Sequence, residues 1–115
     1  MNPAIPVLIV DDDAAARAML ALYLRQAGYR TVEAAGGAQA LDVLRGGGCG
    51  LMLTDGRMSP MDGVELSRQA KRLAPRLRIA MVSALVTEED GRGAPIEKFF
   101  SKPVPLEELL TWLSA

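Results

Sequence analysis

Leu51-Met52-Leu53-Thr54-Asp55 is the stretch on which the reading of this chain turns. It is a short apolar run with strand character that stops in a carboxylate. The residues after it, Gly56-Arg57-Met58-Ser59-Pro60-Met61-Asp62-Gly63, are rich in turn formers and cannot continue a strand. Asp55 is therefore expected at the C-terminal lip of a buried strand, held from below and open to solvent above. Ile5-Pro6-Val7-Leu8-Ile9-Val10 ends the same way, in Asp11-Asp12-Asp13. Two buried parallel strands ending in carboxylates place several negative charges in one crevice, where open α/β sheets bind ligands.

Outward from these two runs, helical and extended patterns alternate. Apolar residues in Ile5 to Val10 are contiguous, which predicts a strand buried on both faces, with Pro6 near its start for want of a ladder N–H. Asp12 or Asp13 can cap a helix over Ala14 to Ala27, with Met19, Leu20, Tyr23, Leu24 and Ala27 as its apolar face and Gly28 as its left-handed stop. Thr31 to Ala34 reads as a second strand. Gly36-Gly37 opens a helix carrying Ala40, Leu41, Val43 and Leu44, which Gly46-Gly47-Gly48 ends. Those glycines follow a helix and lack a Lys-Ser/Thr, so they are no phosphate loop.

Gly50 to Thr54 is the third strand. Asp62 and Glu65 form an acidic capping box for a helix that Pro75 ends. Arg68, Lys71, Arg72, Arg76 and Arg78 read as a solvated basic face. Leu77 to Val82 is the fourth strand, followed by Ser83. Thr87 to Asp90 has the form of a helix start, yet Gly91, Gly93 and Pro95 follow at once, so any fourth helix is short or absent. Ile96 to Ser101 is the fifth strand, and Leu106, Leu109, Leu110 and Leu113 line a last helix that Pro105 begins. The pattern predicts one 115-residue α/β domain: a flavodoxin-like, doubly wound, five-stranded parallel sheet of order 2-1-3-4-5. Strands 1 and 3 are then neighbours, so Asp11, Asp12 and Asp55 meet, and strands 4 and 5 bring Ser83 and Lys102 to the same edge.

Composition excludes several classes. With 13 Lys and Arg against 14 Asp and Glu, no bulk field draws the chain to nucleic acid or membrane. No apolar run approaches the ~20 residues of a membrane span. A single cysteine, Cys49, forbids an internal disulfide and fits a reducing, cytoplasmic setting, where it reads as a small buried hydrophobe at the start of a strand. Histidine is absent, which removes His-activated nucleophiles and most zinc sites.

Three crowded carboxylates repel one another unless a cation neutralises them. An all-oxygen, histidine-free set suits Mg²⁺, which takes one or two carboxylates together with waters and phosphate oxygens. Lys102 adds one positive charge and Ser83 a hydroxyl. Carboxylate, Mg²⁺, lysine and hydroxyl together describe a phosphoryl site, with Asp55, alone at its strand tip, as nucleophile. Each residue has a duller account as helix cap, turn residue, strand terminator or solvated charge. Their joint placement at four strand ends favours the chemical one.

In Val10-Asp11-Asp12, Asp55 followed by Met58 and Met61-Asp62-Gly63, Ser83-Ala84 and Lys102-Pro103, the whole chain resembles the receiver domain of two-component response regulators. The resemblance implies that Asp55 accepts a phosphoryl group from the phosphohistidine of a sensor histidine kinase or histidine phosphotransfer protein. It implies that Asp11 and Asp12 bind Mg²⁺ with Asp55 and the backbone carbonyl of Arg57. Ser83 would bond the phosphoryl group, Lys102 would pair with it, and Phe99 would stand where an aromatic turns inward on activation. The Lys102-Pro103 bond would be cis, and an output protein or domain would read the face spanning residues 83–102. Three features depart from the family pattern: the proline after Met58 is shifted by one to Pro60, Arg57 places a cation beside the acceptor, and the segment from Ser83 to Lys102 is short and rich in helix breakers. Two rivals remain. A small Mg²⁺-dependent phosphohydrolase would need a general acid near Asp55, commonly two residues on, where Arg57 stands. A docking module that never uses phosphorylation would typically lose an acidic, hydroxyl or lysine member of the site, and none is lost.

Overall fold

The structure, a computed structural model, describes residues 5–84 and 89–115. Five parallel strands, β1 (Val7–Val10), β2 (Thr31–Ala34), β3 (Leu51–Thr54), β4 (Arg78–Ser83) and β5 (Lys98–Ser101), form one sheet in the order β2-β1-β3-β4-β5. The helices are α1 (Ala14–Gln26), α2 (Gly37–Arg45), α3 (Gly63–Leu73) and α4 (Leu106–Ser114). This is the flavodoxin-like arrangement that the strand pattern predicts.

Alternate residues of the contiguous apolar strands supply two separate cores. Val7, Ile9, Leu51, Leu53, Ala80, Val82 and Phe100 face α1 and α4, meeting Ala21, Leu24, Leu109 and Leu113. Leu8, Val10, Met52 and Ile79 face α2 and α3, meeting Ala40, Leu41, Leu44, Leu66 and Ala70. Removing a side chain such as Leu53 from either core would cost about 2–5 kcal/mol. The sheet is thus a rigid floor whose C-terminal edge carries the polar residues.

The element boundaries follow local chemistry. Asp13 caps α1, its Oδ1 accepting the Ala15 and Ala16 N–H groups at 3.0 and 3.3 Å. Gly28, with φ of 97°, closes the helix, and the Tyr29 N–H returns to the Leu24 carbonyl. Asp62 caps α3 by accepting the Glu65 N–H at 2.9 Å, while the Glu65 side chain turns to Gln69 and Arg68 instead of completing the box. Gly63 is required by packing: a Cβ there would overlap the Asp55 carbonyl oxygen.

Several expectations are corrected. The buried stripe of α1 is centred on Ala21 and Leu24, with Leu20 and Tyr23 beside it; Met19 is 67% exposed and Ala27 lies on the surface. Met19 lies about 160° around the helix from Ala21 and about 140° from Leu24, so it points away from both buried residues. The basic run is not one solvated face: Lys71 Nζ donates to the Leu77 carbonyl at 2.6 Å and Arg78 is fully engaged at the foot of the sheet. Strand β5 begins at Lys98 because the Ile96 N–H turns back to the Ala94 carbonyl. Four helices stand among the described residues, and residues 89–97 of the β4–β5 crossover hold turns, in keeping with a fourth helix expected to be short or absent. The Thr87-Glu88 part of the anticipated helix start lies outside the described residues.

Candidate functional site

Register places the acidic residues. Val10 pairs with Thr54 across β1 and β3, so Asp11 and Asp55 leave their strands at one level. The Asp55 N–H donates to the Val10 carbonyl at 2.9 Å, and the Asp11 N–H to that of Ala34 at 3.2 Å. One carboxylate oxygen from each of Asp11, Asp12 and Asp55 lies within 4.8 Å of the others. Asp11 is buried, Asp12 exposed, and the Asp55 side chain 13% exposed. Asp55 is therefore more enclosed than a strand tip open to solvent.

Each acid is oriented from its own loop. Asp11 Oδ1 accepts the Asp13 N–H at 2.9 Å, and Asp55 Oδ1 accepts the Gly56 N–H at 2.7 Å. The buried Thr54 hydroxyl donates to the Asp55 carbonyl at 2.9 Å, fixing the peptide that leaves the strand. The Gly63 N–H donates to the Gly56 carbonyl, folding the following loop back beneath Asp55.

From the far side of the sheet Lys102 enters. Its N–H donates to the Ser83 carbonyl at 3.2 Å, and its ammonium lies 3.2 Å from Asp11 Oδ2 and 3.6 Å from Asp55 Oδ2. Burial alone would lower the pKa of this lysine. The charges of Asp11 and Asp55, with the hydrogen bonds they accept, outweigh burial and hold the pKa above the ordinary 10.5. Lys102-Pro103 is cis, as the resemblance implies, and Ser59-Pro60 is cis as well.

Ser83 is buried at the end of β4, and Arg57 is exposed in the loop after Asp55. Phe99 is half-buried on β5 opposite Met81, and a Cβ on Gly91 would come within 2.6 Å of its ring. The buried aromatic of that strand is Phe100. A cavity of about 450 Å³ runs from Asp11, Asp55 and Lys102 over Met19, Leu20 and Tyr23 of α1 to Leu106, so the acidic crevice continues into an apolar groove.

One residue escaped the sequence reading. Arg17, on the first turns of α1, donates Nη1 to the Asp11 carbonyl at 2.7 Å and Nε to Glu33 Oε1 at 3.2 Å. Lys102 is therefore not the only cation beside the acids. Its signal was a positive charge near a helix N-terminus, where the macrodipole disfavours it.

An all-oxygen donor set with no thiol or imidazole fits Mg²⁺. Its spread is close to the roughly 4 Å between opposite ligands of a six-coordinate Mg²⁺. With sheet, acids and lysine in place, comparison with known proteins is direct. Residues 7–114 match the response regulator receiver domain, and the chain belongs to that family. It is 34% identical over 107 residues to the response regulator receiver protein CpdR of Brucella abortus, covering 90% of this chain and 89% of that protein. It is 32% identical over 108 residues to sporulation initiation phosphotransferase F of Bacillus subtilis, covering 90% and 86%. The crystal structure of a response regulator receiver protein from Pseudomonas putida superposes with a TM-score of 0.87 at 36% identity, covering 99% of this chain and 98% of that one. The chain is a receiver domain of two-component phosphorelay signalling, a class of phosphoacceptors served by sensor kinases or phosphotransfer proteins.

Proposed function

We propose that residues 1–115 act as one cytoplasmic receiver domain in which Asp55 takes a phosphoryl group from a partner's phosphohistidine, with Mg²⁺ as cofactor. The observation that carries this reading is the convergence of Asp11, Asp12 and Asp55 within 4.8 Å, with Lys102 against two of them. Asp11, Asp12, Asp55 and the Arg57 carbonyl would hold the cation. When bound, Mg²⁺ supplies positive charge to the phosphoryl oxygens.

In the transfer a carboxylate oxygen of Asp55 forms the new O–P bond while the P–N bond of the phosphohistidine breaks. The electron pair of that bond stays on the nitrogen, and the histidine departs as neutral imidazole, its other ring nitrogen keeping the proton it carried. Lys102 would balance the equatorial charge, and the Ser83 hydroxyl would donate to a phosphoryl oxygen. The transferred phosphoryl group remains on Asp55 itself, so the domain acts as a self-assisting acceptor rather than a turnover enzyme. The groove over Met19, Leu20, Tyr23 and Leu106 offers the phosphodonor protein an apolar seat beside Asp55.

Phosphorylation replaces the single charge of the Asp55 carboxylate with a phosphoryl group carrying nearly two negative charges. Ser83 and Lys102 are then drawn toward the phosphoryl group, Phe99 changes its packing, and the face spanning residues 83–102 is altered for an output partner. The phosphorylated form selects a minor state already present in the ensemble.

The test is incubation with acetyl phosphate, with and without Mg²⁺, followed by intact mass measurement. One added phosphoryl group, dependent on Mg²⁺, is expected. No incorporation under either condition would end the reading. Beryllofluoride with Mg²⁺ is expected to shift NMR signals of Ser83, Phe99 and Lys102; shifts confined to the neighbours of Asp55 would remove the switch from the proposal.

A further inference from the structure

Arg17 is the fourth residue of α1, where the helix dipole opposes a cation, yet its side chain is only 17% exposed. It folds back toward the strand end, donating Nη1 to the Asp11 main-chain carbonyl at 2.7 Å and Nε to Glu33 Oε1 at 3.2 Å. Glu33 stands on β2 opposite Ile9, so the guanidinium bridges a strand of the sheet and the acidic turn. The carbonyl it grips belongs to the peptide that joins Asp11 to Asp12.

That peptide matters because the acids are not equally fixed. Asp11 is tied by the Asp13 N–H and by Lys102, and Asp55 by the Gly56 N–H. Asp12 is exposed, and among the described residues its carboxylate makes no hydrogen bond or ion pair. Its direction is set by the main chain from which it springs. We infer that Arg17, aimed by Glu33, is a positioning residue for the cation site: it locks the Asp11–Asp12 peptide and so points the Asp12 carboxylate at Asp11 and Asp55. The inference rests on the metal reading above.

Positioning and electrostatics have opposite signs here. A guanidinium near a dication repels it, so if Arg17 acted only through its charge, removing it would tighten Mg²⁺ binding. If it acts as a brace, removal weakens binding, by about ten-fold as is usual for partners that orient metal ligands. Arg17→Met keeps much of the apolar stem and deletes the planar fork. Arg17→Lys keeps the charge but offers a compact ammonium that cannot reproduce the fork between carbonyl and carboxylate.

The experiment is Mg²⁺ titration of the intact chain by calorimetry for wild type, Arg17→Met, Arg17→Lys and Glu33→Ala, with thermal unfolding in EDTA to establish that each is folded. Weaker binding is expected in both Arg17 variants, and a few-fold loss in Glu33→Ala, which carries the test should Arg17→Met fail to fold. Equal or tighter binding in folded Arg17→Met, or wild-type affinity in Arg17→Lys, would overturn the inference while leaving the metal reading intact; so would unchanged affinity in Glu33→Ala if that variant must stand in. A wild-type chain that binds no Mg²⁺ would overturn the metal reading and this inference together.

Discussion

The two ends of the sheet use the same chemistry in opposite proportions. At the C-terminal edge three carboxylates face Lys102, with the Arg17 guanidinium spent on a carbonyl and on Glu33. At the foot of the sheet Arg78 pairs with Glu97 at 3.0 Å, donates to the main-chain oxygen of Ala115 at 3.0 Å and lies 4.6 Å from the centre of the Trp112 ring. In the lower cluster charge is matched by charge, and Arg78 fastens α4 and the segment before β5 to β4. The upper cluster carries a surplus of negative charge that an added cation relieves. Balance holds this fold together, and imbalance makes its site.

The largest effect that separates the two ends is expected from loss of the Asp55 carboxylate. Asp55→Asn is expected to abolish phosphoryl incorporation from acetyl phosphate, because an amide is a far weaker nucleophile than a carboxylate. The variant should remain folded, since one member of a repelling cluster has been neutralised. Intact mass decides: a phosphoryl group still gained by the Asn variant would mean that Asp55 is not the sole acceptor.

A second contrast is thermodynamic. Arg78→Ala removes a cation–π contact worth ~0.5–1 kcal/mol and a partly exposed ion pair worth up to ~1 kcal/mol. The unfolding midpoint should fall by roughly 5–10 °C. Asp12→Ala should leave the midpoint in EDTA unchanged or raised, yet weaken Mg²⁺ binding severely, because a ligand and its charge are lost together. Calorimetric unfolding and Mg²⁺ titration of both variants test the pair of statements. If Asp12→Ala destabilised the metal-free protein as much as Arg78→Ala does, the upper cluster would be structural and the contrast false. Unchanged Mg²⁺ affinity in Asp12→Ala would remove that residue from the cation site.

How much of this was legible in the sequence differs between the same two ends. The upper edge was largely readable, because Asp11 and Asp55 each interrupt an apolar run and strand order alone makes them neighbours. Even there, the enclosure of Asp55 was missed: Lys102 and Gly63, which crowd it, arrive from other elements. Arg17 was missed because its target is a main-chain carbonyl, which has no letter in the sequence. The lower cluster was misread as part of a solvated basic run, since Arg78 finds its partners 19 and 37 residues away. In β5 the adjacent aromatics Phe99 and Phe100 occupy opposite faces of a four-residue strand, too short for alternation to say which one is buried.

The smallest predicted effect concerns pH and isolates Lys102. Asp11 and Asp55 hold its pKa in the folded chain above the 10.5 of an ordinary lysine, against the opposing influence of burial. A group whose pKa is raised on folding contributes stability that is complete below its unfolded pKa and is lost as pH climbs through the folded one. The contribution of Lys102 is therefore constant from pH 6 to 9 and declines only above 10.5. The pair is partly exposed, so its worth is on the order of 1 kcal/mol or less. Unfolding midpoints of wild type and Lys102→Met in EDTA should run parallel with pH through the neutral range, with wild type higher, and converge in strong alkali. Subtracting the two curves cancels every other titrating group to first order. A gap that closed between pH 7 and 9 would mean that Lys102 loses its proton in the working range, and the upper cluster would then lack the counter-charge that touches Asp11 and Asp55.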